Sequence, residues 1–305
     1  MHELQDNVYQ QSITIDQQNH LDQLAAICEL GRRTYFAQGE IFEWRAEVGS
    51  AGENERAAAR AGNRLAGMAT HAPAVASTMI RTAGEQLAGL AAMFRAGEVF
   101  GAPEPVVRSV LENSAYACWV MDPQTTGIKR GARVLAAELT TVDHLRSAIK
   151  EVVGMDGEDY KYLSASFEKL VELATDLYKP FSEPRSNDRK YTVGDERYPS
   201  FTRAVMAWAD GPGGGNTSGR GVYGLLCSDT HPKGLAARLN WHTGATPNIA
   251  HQSVTLRYLD NLVTASLSPF YGALVLLASY HGWLGNSALT EFEAAYEKIA
   301  PGALR

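Results

Sequence analysis

Cysteine is scarce in this chain, and nothing about its placement suggests pairing. The 305 residues hold three, Cys28, Cys118 and Cys227, with no CxxC among them. That excludes a zinc ribbon or a thioredoxin-like motif built from local sequence. Three scattered thiols suit a reducing compartment, where cysteine acts as a small hydrophobe, so a cytoplasmic location is expected. HExxH and ExxH are both missing. His242, His251 and His281 therefore lack the spacing of helical metal sites, and neither metal nor cofactor is expected. There is no GxSxG elbow, no Gly-Lys-Ser/Thr phosphate loop and no dinucleotide fingerprint, which argues against hydrolase and nucleotide-binding α/β folds. A basic surplus is lacking too: the net charge is -6 and the sequence pI is near 5.8. Phosphate neutralisation drives nucleic-acid affinity, so nucleic acid is not the expected partner. The opening MHELQDNVYQQ is polar and lacks the apolar stretch of a secretory signal.

What the chain has is apolar, Ala-rich helical periodicity. Hydrophobic residues make up 45% and charged residues 20%, enough to bury a sizeable core and too few charges for a disordered chain. Leu21, Leu24, Ala25, Cys28 and Gly31 recur at spacings of three and four, which predicts a helix over 18–47. Further helices are predicted at 54–70, with Arg56, Arg60 and Arg64 on one exposed row, and at 73–97, 104–121, 126–153, 157–178, 200–209, 218–230 and 257–283. The last is 287–299, with Ser287 as N-cap. Residues 179–200 mix nine charges with three prolines and read as a long charged loop. Residues 211–221, GPGGGNTSGRG, read as a Gly-rich connector. Leu235–Trp241 and Ser253–Tyr258 suggest one short β-hairpin around Gly244 to Pro247. No linker divides the chain, so residues 1–305 are expected to form one all-α, multi-helix domain, with oligomers through its Ala-rich helices as an option.

One run needs a membrane check. Leu262 to Tyr280 carries no charged side chain, and about 20 apolar residues span a bilayer. The hydroxyls of Thr264, Ser266, Ser268 and Ser279, together with Pro269, favour a buried core helix, and no membrane partner is expected.

Chemistry concentrates in two places. On helix 104–121, Arg108, Glu112 and Tyr116 recur every four residues with Trp119 close by, on a helix otherwise mostly apolar. Buried arginine is costly unless paired. The stripe therefore reads either as a structural ion pair or as a pocket lining, with Arg108 gripping an anionic group and Glu112 orienting it or acting as base. The second place is Tyr223 to His231. There Cys227 and His231 stand at i, i+4, and Asp229 with His231 offers an acid/base couple near neutral pH. The bland alternative is a capped helix end holding a packed cysteine. Arg220, at the end of the Gly-rich stretch, could add a guanidinium for a small anion.

The R-x-x-x-E helix at Arg108 to Glu112 and the Y-x-x-L-x-x-x-x-H run at Tyr223 to His231 resemble a loose group of bacterial all-helical proteins. That group is distantly similar to HEPN domains. The resemblance covers about 105–123 and 220–285, and it implies a helical fold and a nucleic-acid-acting defence role. The closely spaced Arg and His of HEPN ribonucleases have their nearest counterpart in Arg220 and His231, here separated by ten residues.

Three functions follow from these readings. The first is a cofactor-independent enzyme acting on a small polar or anionic metabolite by elimination or intramolecular displacement, for example an amine displacing a sulfate ester to close a ring. Glu112, Asp229 and His231 would be catalytic there. Arg108, Tyr116, Trp119, Arg220 and Tyr223 would bind substrate. The second is the HEPN-like protein, and the third a non-catalytic helical interaction subunit.

Overall fold

The computed structural model describes residues 13–99, 102–183, 191–211, 221, 223–224, 226–227, 241–243, 250–252 and 255–302. Most of them are helical, and the chain is all-α apart from short antiparallel strands.

Helix α1 (Ile15–Phe42) starts where Thr14 and Gln17 form a reciprocal capping box, which satisfies two backbone donors of the first turn. It stops five residues short of the predicted end, because Glu43 and Trp44 take left-handed backbone angles of φ 49° and 56°. The Trp44 ring then folds back onto Gly39, where a Cβ would lie 1.9 Å from it. The predicted helix 54–70 is two helices, α2 (Ala51–Arg60) and α3 (Arg64–Ala69). Gly62, at φ +91°, turns the chain, and Asn63 caps the new helix by accepting from the backbone N–H of Ala66. The row of three arginines is broken with it: Arg64 pairs with Asp176 at 2.7 Å.

Helices α4 (Ala72–Arg95), α5 (Pro103–Val120), α6 (Gly127–Val153), α7 (Glu158–Leu177) and α8 (Phe201–Ala209) fall within a residue or two of prediction. Helix α9 (Leu256–His281) and helix α10 (Ser287–Ile299) close the fold. Asn286, not Ser287, caps α10: its side chain accepts from the N–H of Leu289, and Ser287 is the first helical residue. The charged stretch 179–200 contains a small meander, β1 (Phe181–Ser182), β2 (Thr192–Val193) and β3 (Glu196–Arg197), paired in that order. Buried Tyr191 and Val193 anchor it, apolar anchors that the surrounding charges hid in the sequence. The hairpin is β4 (Trp241–Thr243) and β5 (Ala250–Gln252), with His242 opposite His251. Its second strand is nearer the turn than expected, because Thr255 already caps α9 by accepting from Tyr258 N–H.

One connected core runs through α1, α4, α5, α9 and α10. Leu24, Leu87, Phe94, Leu111, Phe270 and Phe292 are fully or almost fully buried in it. Among the described residues α9 alone is long and apolar enough to cross a bilayer, and 56% of its most apolar window is buried inside the protein. It packs against α1, α4 and α5, which gives that apolar run a core role.

Candidate functional site

The middle of α5 positions the site. Pro103 at the start of this helix suits a position that needs no N–H donor, and α5 is buried on most sides between α4, α8 and α9. Its polar residues survive along one edge. Arg108 donates from Nε to Glu112 Oε1 at 2.8 Å, one turn further on. Tyr223, from the helical stretch after the Gly-rich segment, donates its hydroxyl to the same oxygen at 2.7 Å. The triad closes on itself: Arg108 Nη2 lies 3.3 Å from the Tyr223 hydroxyl, and the guanidinium stands 5.4 Å from the centroid of that ring. The Arg108 and Glu112 side chains are 21% and 15% exposed, so the group is sheltered without being sealed. Both donors use Oε1, and among the described residues no hydrogen bond reaches Glu112 Oε2.

The protonation states follow from these contacts. Burial opposes the charge of Arg108. The hydrogen bonds and charges of Glu112 and Tyr223 outweigh it, holding the guanidinium above its ordinary range. Burial pushes the Tyr223 phenol well up, and its bond to Glu112 adds to that shift while Arg108 partly offsets it. Tyr223 is thus a neutral donor, and Arg108 a permanent cation.

Tyr116 and Trp119 go elsewhere. Tyr116 stacks on Tyr198 with ring centroids 4.9 Å apart and donates its hydroxyl to the Pro199 carbonyl at 3.0 Å. Trp119 meets Tyr198 edge-on and lies under the Arg133 guanidinium. Arg133 in turn bonds Glu196 at 2.7 Å and Asp122 at 3.1 Å. These contacts clamp the β3–α8 connection onto α5. The predicted four-residue stripe therefore divides into a charged triad and an aromatic clamp. Asp229, His231 and Arg220 lie outside the described residues. Cys227 is half-buried.

No known family, curated protein or solved structure matches this chain.

Sequence reasoning missed two polar residues at the end of the same edge. Glu104 lies one turn before Arg108, buried to 4% exposure, and accepts from the Tyr258 hydroxyl at 3.0 Å. Its i−4 spacing from Arg108 was a readable signal; the approach of Tyr258 from α9 was not. A second triad was also missed. Arg130 pairs with Glu55 Oε1, Tyr280 donates to Glu55 Oε2 at 2.7 Å, and the Arg130 guanidinium stands 5.2 Å from the Tyr280 ring centroid. Among the described residues no three or more His, Cys, Asp or Glu side chains converge as a metal-binding group.

Proposed function

We propose that this chain is a cofactor-independent enzyme that performs acid/base chemistry on a small polar or anionic metabolite at Arg108, Glu112 and Tyr223. The observation that carries this reading is the convergence of two donors on one oxygen of Glu112. Such an arrangement fixes the carboxylate and leaves Oε2 to accept a proton from a substrate. Arg108, always charged, would hold a carboxylate, sulfate or phosphate group and face developing negative charge, while Tyr223, its one proton donated to Glu112, would keep the base in place beside the substrate. Elimination or intramolecular displacement needs only these parts: a base and an anion grip. Asp229, His231 and Arg220 are proposed as further members of this site. We also propose a cytoplasmic location, which three cysteines scattered far apart in the sequence favour.

The HEPN-like reading would rest on Arg220 and His231. The interaction-subunit reading has one observation in its favour, an exposed apolar seam on α6, taken up below.

The test is consumption. Purified protein is incubated with a pooled extract of small metabolites, and the pool is followed by mass spectrometry. The wild type should deplete at least one anionic or polar compound and accumulate its product, and Glu112→Gln should not. Depletion by neither protein, or equally by both, would overturn the proposal.

A further inference from the structure

The far half of the α6–α7 pair has no core of its own. The buried residues of α6 run from Arg130 to Asp143, α7 contributes only Ala174, and none of residues 144–173 is buried. The last ten residues of α6 thus extend about 15 Å beyond the body of the protein. On the α7-facing side the arm is conventional: Arg146 lies over the Phe167 ring at 4.1 Å, and Val153 packs at Gly157.

Another face of α6 has no such partner. Thr141, Leu145, Ala148 and Val152 alternate spacings of four and three, and all four are exposed. That alternation is the a/d rhythm of a coiled-coil seam, which positions side chains to interlock with another helix. Val152 is 78% exposed and Leu145 50%, high values for apolar side chains on a regular stripe. No described residue packs over this seam as α7 packs over the other face.

We propose that the seam is a homodimerisation element, in which α6 packs antiparallel against α6 of a second copy about a two-fold axis near Ala148. The seam is its own complement under that operation. Leu145 meets the partner's Val152 on either side of that axis. The small Ala148 side chains meet at the axis and let the helices approach closely. His144 and Glu151 flank the seam, and the same rotation sets His144 against the partner's Glu151, so each copy supplies both halves of a polar pair. A two-fold contact uses one patch twice, which is why this self-complementarity selects a second copy over an unrelated chain. The inference is independent of the triad on α5.

Sedimentation velocity of the full chain over a micromolar concentration series tests it, with helicity followed by circular dichroism. The wild type should form dimers. Val152→Glu should weaken dimerisation more than about tenfold at unchanged helicity, because it puts a carboxylate into the seam. His144→Glu should weaken it by facing two carboxylates across the axis, and His144→Glu combined with Glu151→Lys should restore it. A wild type that stays monomeric throughout the series overturns the proposal, whether or not another protein binds the seam. So does a dimer that Val152→Glu leaves intact.

Discussion

Tyr223 donates its hydroxyl to Glu112 at 2.7 Å, and the protein builds the same contact a second time between Tyr280 and Glu55 at 2.7 Å. An arginine completes each group from above the tyrosine ring. The difference lies in how the carboxylate is used. Glu55 spends one oxygen on Arg130 and the other on Tyr280, and Arg130 spends a further N–H on the Thr125 carbonyl at 3.1 Å. Both oxygens of Glu55 are thereby occupied, and the group ties α2, α6 and α9 together. In the α5 triad both donors share one oxygen. The first arrangement saturates its carboxylate, and the second leaves one carboxylate oxygen for the proposed chemistry.

This contrast can be measured by removing one hydroxyl at a time. Tyr280→Phe leaves Glu55 Oε2 without its donor in a sheltered place and should cost about 1.5–3 kcal/mol. Tyr223→Phe leaves Glu112 Oε1 still bonded to Arg108 and should cost less, about 1 kcal/mol. Denaturant unfolding of both variants checks the order. If Tyr223→Phe were the more damaging, the α5 triad would be the structural one.

A cycle on Arg108 and Glu112 separates pairing from function. Arg108→Met strands a carboxylate that is 15% exposed, and residual solvent access should limit the loss to about 1–3 kcal/mol, below that of a sealed pair. Adding Glu112→Leu should recover most of it. On the proposed function, the stabilised double variant should still fail to consume the metabolite that the wild type is expected to deplete. If it kept that consumption, the base and the anion grip would have to be placed elsewhere.

Much of the fold was legible because helical periodicity is a local signal. The helices from α4 to α8 could be bounded from spacing, prolines and caps alone. The breaks were harder. Gly62 ends α2 through a backbone angle, while its alanine-rich surroundings read as continuous helix. The Tyr191 and Val193 anchors of the meander sit among charges that mark a loop. At the site, Arg108 and Glu112 were visible as an i, i+4 pair, and Tyr223 was named without a known partner. What joins Tyr223 to Glu112, Tyr258 to Glu104 and Tyr116 to Pro199 is contact across 83 to 154 residues of chain, which no periodicity encodes.

The protein should lose stability early on acidification because of His281. Its ring is buried at 4% exposure and stacks on Trp283 with centroids 4.4 Å apart. Burial, reinforced by the charge of Arg56, pushes its pKa down from 6.5 to about 4. The unfolded chain takes up a proton near pH 6.5 and the native chain does not until about pH 4. Stability is therefore full above pH 6.5 and falls as pH drops through that window, by at most about 3 kcal/mol. The depressed carboxyls of Glu29 and Asp122 add their losses at lower pH, below their ordinary values of 4.5 and 3.8. Denaturant midpoints at pH 7 and pH 5 should differ in the wild type and converge in His281→Gln. An equal difference in the variant would show that another group carries the effect.

Gly39 gives a prediction whose sign runs against helix propensity. It is buried inside α1, where alanine ordinarily stabilises a helix by about 1 kcal/mol over glycine. Here the Trp44 ring occupies the space a side chain would take, and a methyl group would come within 1.9 Å of Trp44 Cζ2 and 2.0 Å of Cε2. No relaxation of a few tenths of an ångström removes such an overlap, so the indole must move. It is held between Tyr35, at 5.2 Å between ring centroids, and Trp283, at 6.1 Å. Displacing it forfeits those contacts and the backbone path that Glu43 and Trp44 take at positive φ. Overpacking costs about 1–3 kcal/mol; Trp44 is 44% exposed and yields in part, so the cost offsets the propensity gain, and Gly39→Ala should be neutral to destabilising. In a Trp44→Ala background the obstacle is gone, and the same substitution should become neutral or stabilising. Thermal unfolding of the four proteins decides it: if Gly39→Ala stabilised the chain with Trp44 present, the indole could not be packed on Gly39 in solution.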